Sequence, residues 1–187
     1  ILDGSGGSGV VNGVISNALS GATPQNLLLT KTGSGTWTLN ATSIYTGNTA
    51  VQEGVLKLGP LGSIATSPVI TLTAGAVFDV SEVPAFALAT QTLSGSGAVT
   101  GGLIVPAGSV ITPGGNAAAG VLAFNTGLTI SGGVVRTNLS VPSFFTPAQS
   151  DLITVAGDLT ITAPSVIEVL AIGAPLSGSY RVIDYTG

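Results

Sequence analysis

The sequence contains no histidine, no cysteine and no methionine. The first two absences exclude whole classes of chemistry. Neither a Ser-His-Asp relay nor a Cys-His nucleophile can be assembled within this chain. Zinc and blue-copper centres that need imidazole or thiolate are excluded as well. Charge is scarce: 6% of the 187 residues are Asp, Glu, Lys or Arg, against ~25% in an ordinary soluble domain. Four basic residues exclude an ordinary electrostatic nucleic-acid binder, which neutralises phosphates with many Lys and Arg. Long apolar runs are missing too. A membrane-spanning helix needs ~20 apolar residues, and the best stretch, Val166 to Leu176, is shorter and carries Glu168, Gly173 and Pro175. No basic n-region opens the chain, so no signal peptide is visible. The chain starts at Ile1 without an initiator Met, which reads as a processed product or an excised fragment.

What is present points to an ordered β protein. Hydrophobic residues make up 44% of the chain and mean hydropathy is +0.64, the opposite of a disordered composition. Glycine supplies 28 residues, about double the usual share of ~7%. Gly, Thr, Ser and Val dominate, and none favours a helix interior. Short alternating runs recur instead: Thr36-Trp37-Thr38-Leu39, Val55-Leu56-Lys57-Leu58, Val69-Ile70-Thr71-Leu72, Leu128-Thr129-Ile130 and Leu159-Thr160-Ile161. Each places apolar residues at i and i+2, the period of a strand with one buried face. Turn residues separate them, as in Gly33-Ser34-Gly35, Ser94-Gly95-Ser96-Gly97 and Pro113-Gly114-Gly115. Many short strands at even spacing fit a sandwich, a barrel or a solenoid.

Internal repetition selects the solenoid. A Gly followed by a short apolar strand recurs at Gly54-Val55-Leu56, Gly75-Ala76-Val77-Phe78, Gly108-Ser109-Val110-Ile111, Gly120-Val121-Leu122 and Gly133-Val134-Val135. One coil cannot bury its own inward face, so stacked coils must form the core. The expected fold is all-β, a single right-handed parallel β-helix over residues 1–187. At ~20 residues per coil, it has about nine coils. At ~4.8 Å per strand, the rod is about 40 Å long. Neither terminus shows a charged or amphipathic capping segment. The expected partner is therefore a second copy stacked end to end.

One block is more specific. Residues 27–59 open with Lys31-Thr32-Gly33-Ser34-Gly35-Thr36, continue through Trp37-Thr38-Leu39-Asn40 and Tyr45-Thr46-Gly47-Asn48-Thr49, and close on Glu53-Gly54-Val55-Leu56-Lys57-Leu58. This block resembles the autotransporter-associated β-strand repeat of large exported bacterial proteins. Gly33, Gly35, Trp37, Leu39, Tyr45, Gly47, Gly54 and Leu56 carry the resemblance. More loosely, residues 151–187 resemble the end of such passenger regions. The resemblance implies a β-helical fold, export, and a secreted or cell-surface location. It brings no catalytic residues with it. Zero cysteine and only four sites for a trypsin-like protease, at Lys31, Lys57, Arg136 and Arg181, suit a durable surface protein.

Candidate chemistry is thin. The acids are Asp3, Glu53, Asp79, Glu82, Asp151, Asp158, Glu168 and Asp184. A glycoside hydrolase commonly needs two carboxylates flanking one bond. Asp79 with Glu82 is the nearest pair in sequence, and Asp151 with Asp158 could meet across a corner. Arg181 and Asp184 are expected to point to opposite faces of a strand. The segment Asp3 to Gly9 is glycine-rich, but no helix follows to complete a phosphate loop. Phe144-Phe145, between Pro142 and Pro147, break the strand pattern and form a candidate subunit contact. No cofactor or metal is expected. Three functions stay open: a non-enzymatic structural fibre or matrix subunit, an adhesin or passenger module binding glycans or cells, and a polysaccharide-processing enzyme.

Overall fold

The computed structural model describes residues 1–20, 23–115, 118–140, 150–171 and 177–187. These build three parallel sheets that the chain visits in rotation. The longest holds eight strands in the order Ser8–Val11, Thr36–Leu39, Val55–Leu58, Val77–Asp79, Ala98–Thr100, Val121–Phe124, Leu152–Val155 and Ile183–Tyr185. A seven-stranded sheet runs through Leu29–Lys31, Thr49–Val51, Val69–Leu72, Thr92–Gly95, Val110–Pro113, Val134–Leu139 and Val166–Ala171. The third sheet joins later, with Phe86–Ala87, Leu103–Pro106, Leu128–Ser131 and Leu159–Ala163. In the earlier coils that side is irregular, tied by an isolated bridge between Thr42 and Ser63. Visiting each sheet once per turn, with parallel pairing throughout, is a parallel β-helix. A short antiparallel pair, Ala18–Ser20 with Thr23–Gln25, lies outside this scheme.

The strands follow from alternation. In Val55–Leu58, Leu56 and Leu58 are fully buried while Lys57 faces out. Parallel in-register stacking then sets like residues over like. One column of the eight-stranded sheet reads Gly9, Trp37, Leu56, Phe78, Val99, Phe124, Val155 and Tyr185. Its counterpart in the seven-stranded sheet reads Leu29, Thr49, Ile70, Leu93, Ile111, Val135 and Ile167. Such columns are the core. Phe78 also meets Phe86 edge to face, with centroids 5.7 Å apart, a favoured aromatic geometry.

Coil length varies more than a uniform repeat of twenty. The register steps 19 residues from Thr36 to Val55, 22 from Val55 to Val77 and 25 from Ala98 to Ala123. It then steps 31 from Val121 to Leu152 and 30 from Ile153 to Ile183. The extra residues enter at one corner, between the seven- and eight-stranded sheets: after Pro113, after Leu139 and after Ala171. The eight-stranded sheet thus makes eight rungs, about 34 Å at ~4.8 Å each.

The expectation that both ends lack a cap is corrected at the N-terminal end. Leu2 pairs with the first seven-stranded edge, its N–H donating to Thr30 (2.8 Å) and its carbonyl accepting from Thr32 (2.9 Å). Leu2, Val11, Ile15 and Leu27 pack onto the core. Trp37 fills the space beneath Gly9, where a Cβ would lie 2.6 Å from the ring. Its Nε1 donates to the Asp3 carbonyl at 3.0 Å. The cap was missed because it is neither charged nor regularly amphipathic. Its glycine-rich stretch supplies backbone, with the carbonyls of Gly4 and Gly7 accepting from Gly35 and Thr36.

Removing a fully buried aromatic ring from the column of the eight-stranded sheet tests the stacking. Phe78→Ala should cost about 3–5 kcal/mol, the range for a buried Phe truncation. Urea unfolding followed by circular dichroism, together with fluorescence of the single Trp37, checks this and shows whether the first coil melts with the centre.

Candidate functional site

The tightest chemistry lies at the corner where the chain leaves the seven-stranded sheet. Lys31 sits on the inward phase in register with Val51 and is fully buried. Its ammonium donates to the carbonyls of Thr32 (2.6 Å), Gly33 (2.6 Å) and Glu53 (3.1 Å). An ammonium has three protons to give, and all three find a corner carbonyl. Burial lowers the Lys31 pKa, while Glu53 and Asp3 act the other way. Gly54 repeats the corner one level on. Its φ is +67°, and an added Cβ would lie 2.5 Å from the carbonyl oxygens of both Gly33 and Gly35. Only glycine fits a left-handed residue that close to backbone.

A second corner carries hydroxyls. Tyr45 is fully buried, and its OH lies 2.6 Å from Thr49 Oγ1, which lies 2.8 Å from Ser67 Oγ. Burial raises the Tyr45 pKa, so the phenol stays neutral in this chain of hydroxyls. One level on, Gln91 donates from Nε2 to the carbonyls of Ile64 (2.9 Å) and Ser67 (2.6 Å). Gly47 belongs to the same side, its N–H donating to Leu27 at 3.1 Å. The eight repeat-carrying residues therefore divide by task. Gly33, Gly35, Gly47 and Gly54 shape corners, Leu39 and Leu56 fill the core, Tyr45 anchors hydroxyls, and Trp37 closes the first coil.

Asp151 closes the longest corner. The chain leaves the seven-stranded sheet at Leu139 and re-enters the eight-stranded one at Leu152. The buried Asp151 carboxylate accepts from Gly120 N (2.9 Å) and Asn138 N (2.7 Å), and Asp151 N donates to Asn138 O (2.8 Å). Burial raises its pKa to about 6, outweighing the two backbone N–H groups and the Asn138 side chain, which favour the charged form.

The other three basic side chains each pair with acids. Lys57 Nζ lies 2.7 Å from Glu82 and 3.8 Å from Asp79, so these two acids meet around a cation. Asp151 and Asp158 lie at different corners and do not meet. Arg136 faces Glu168 across adjacent strands, at 2.9 Å. The expected separation of Arg181 and Asp184 is overturned by their ion pair at 3.0 Å. Arg181 precedes the strand Ile183–Tyr185, so strand alternation does not govern it. Among the described residues, no group of three or more acids could hold a metal ion, and no helix is long and apolar enough to cross a membrane. Phe144 and Phe145 lie outside the described residues.

The two ends of the coil stack differ. At the C-terminal end the inward columns run out uncovered. Ile130 is 2% exposed, but the next residue in its column, Ile161, is 62% exposed. Val135 and Ile167 show the same step from 1% to 55%, and Val155 and Tyr185 from 1% to 55%. Among the described residues, all three sheets end there with no further strand.

Lys31, Gly33, Trp37, Tyr45 and Gly54 thus lie close together in the first coils, and comparison with known families matches a stretch that contains them all. Residues 29–58 match the family model described as Passenger-associated-transport-repeat. The chain carries a passenger-associated transport repeat. This repeat is typical of autotransporter passenger regions and suggests an exported bacterial protein. The transport repeat spans 30 residues, slightly more than one coil, and contains all eight residues that carried the resemblance. No curated protein and no solved structure matches the chain.

Two outcomes test the corners. Lys31→Met keeps the stem and strands three carbonyls. It should destabilise by at least ~1.5–3 kcal/mol, the scale of one hydrogen bond to a charged group, read by urea unfolding. Asp151 makes stability depend on pH. Its folded pKa of about 6 exceeds the ordinary 3.8, so the folded chain holds the proton more tightly. Its contribution is full below pH ~3.8 and is lost as pH rises through ~6. Asp151→Asn should flatten that part of a melting-temperature profile against pH.

Proposed function

We propose that the chain is a non-enzymatic structural β-helix, secreted or on the cell surface, that stacks end to end with copies of itself in a fibre or matrix. The observation that carries this reading is the uncovered column end at Ile161, Ile167 and Tyr185. Apolar residues in register with a buried core, bounded by free strand edges, suit a further coil. The geometry favours head-to-tail contact. Ser8–Val11 and Ile183–Tyr185 are opposite edges of one parallel sheet. Setting one copy's Ile183–Tyr185 beside the next copy's Ser8–Val11 continues the sheet in the same direction. Repeating a heterologous contact that does not close yields a filament.

The charge pattern supports a non-enzymatic role without a nucleic-acid partner. Asp79 and Glu82 are taken up by Lys57, and Glu168 and Asp184 by arginines. Each of the four bases is tied to a protein oxygen, which leaves no basic surface for phosphates.

Negative-stain electron microscopy with light scattering on the purified 187-residue chain tests the proposal. Filaments of constant width are expected, and Ile167→Lys should abolish them while leaving the circular dichroism spectrum unchanged. Particles that stay monomeric at high concentration, or closed pairs of double length, would overturn head-to-tail stacking.

A further inference from the structure

On the outer face of the seven-stranded sheet, one column departs from the usual solvated pattern. It runs Thr71, Ser94, Thr112 in register, then Arg136 paired with Glu168. Although they point outward, Ser94 is only 8% exposed and Thr112 2%. Gly115 comes back over them, its N–H donating to Thr112 O (3.4 Å) and its carbonyl held by Asn138 Nδ2. Beneath it lies a cavity of about 250 Å³ lined by Val69, Thr92, Ser94, Thr112, Gly115 and Arg136.

The polar groups around this cavity are incompletely used. Thr112 Oγ1 is buried and has no hydrogen-bond partner. Such orphans are uncommon and call for an explanation. Ser94 Oγ shares one contact with Thr71 Oγ1 at 3.2 Å and lies 3.5 Å from Ile70 O. Arg136 gives only Nε to Glu168. Its two terminal nitrogens have no partner among the described residues, and they form the fork that grips a carboxylate bidentately.

We propose that this cavity binds a uronate ring, a sugar residue that carries both a carboxylate and neighbouring hydroxyls. The carboxylate meets the free fork of Arg136. The ring hydroxyls exchange hydrogen bonds with Thr92, Ser94 and Thr112, and the C–H face lies against Val69. Size sets the ligand at one ring, since the volume falls below the ~300 Å³ of ordinary small-molecule sites. Glu168 neutralises Arg136 from the opposite side, so a single carboxylate is accepted and a multiply charged anion is opposed. The exported reading enters only in naming the source, an acidic polysaccharide outside the cell. Binding of the ring itself does not depend on end-to-end stacking.

The test is a titration of the full chain with sodium glucuronate, followed by amide chemical shifts, with glucose and sodium acetate as matched probes. Saturable glucuronate binding is expected, with shifts confined to the cavity. Glucose, which lacks the carboxylate, and acetate, which lacks the hydroxyls, should each bind at least several-fold more weakly. Arg136→Gln should weaken glucuronate by about 10-fold or more, the loss expected for a charged hydrogen bond. Thr112→Val keeps the charge and the shape and should weaken it several-fold, with an unchanged melting temperature. That variant carries the test if Arg136→Gln does not fold. No saturable binding in the millimolar range, acetate equal to glucuronate, or undiminished affinity in folded Thr112→Val would overturn the assignment. Stacking filaments that fail to bind glucuronate would sink this site alone. Monomers that do bind it would sink only the stacking.

Discussion

In-register parallel stacking is the constraint on which the rest of this molecule depends. Each strand pairs with the one a full turn away, so a residue's neighbours in the core lie 17 to 32 positions along the chain. A column such as Leu56, Phe78, Val99, Phe124 and Val155 is stable only if every member points inward. Slipping one strand by a single residue would turn its whole apolar set to solvent. The chain tolerates insertions of ten residues or so, provided that they fall at a corner and leave the register of the next strand intact. That is where the longer coils grow, after Pro113, Leu139 and Ala171.

Corners are the costly part of such a fold. A chain that turns within three or four residues directs carbonyls toward its own interior, and unpaired buried carbonyls are destabilising. The molecule answers with a different device at each level. Lys31 gathers three carbonyls with one ammonium, Tyr45, Thr49 and Ser67 share hydroxyls, Gln91 bridges two carbonyls, and Asp151 accepts two N–H groups. These are among the polar residues buried in a largely apolar tube. The transport repeat is one solution of this kind: its lysine and glycines are a corner, and its Trp and Leu positions are the column beneath it.

Legibility in the sequence tracks how local each feature is. Thr36–Leu39, Val55–Leu58 and Val69–Leu72 announce themselves by alternation within four residues, and the structure places strands there. Their assembly into a β-helix followed from the recurring Gly-apolar pattern. The lysine that opens the repeat read as a protease site, since nothing in a four-residue window shows that it turns inward. The Arg136–Glu168 pair depends on a register set 32 residues away, in a coil lengthened by insertion. Arg181 and Asp184 were misjudged because alternation was applied beyond the strand's end. The cavity over Ser94 and Thr112 requires a corner segment to fold back onto a neighbouring face, which periodicity does not encode.

A solenoid with directional strands has chemically unlike ends, and the energetics of this pair are informative. At the N-terminal end, Leu2, Val11 and Trp37 beneath Gly9 finish the columns. At the other, Ile161, Ile167 and Tyr185 are each more than half exposed. Fully burying an exposed side chain of this size contributes roughly 1.5–3 kcal/mol, so covering these three contributes about 3–5 kcal/mol together. Association costs an estimated ~4–15 kcal/mol in lost translational and rotational freedom, so these contacts alone leave stacking marginal. The deciding contribution must come from strand edges, chiefly that of the eight-stranded sheet, since Leu2 already pairs with the first strand of the seven-stranded sheet and the third sheet starts only at Phe86. These hydrogen bonds form only when the incoming coil presents a matching parallel strand. That requirement makes the end selective for another coil of similar section over a flat apolar surface of equal area.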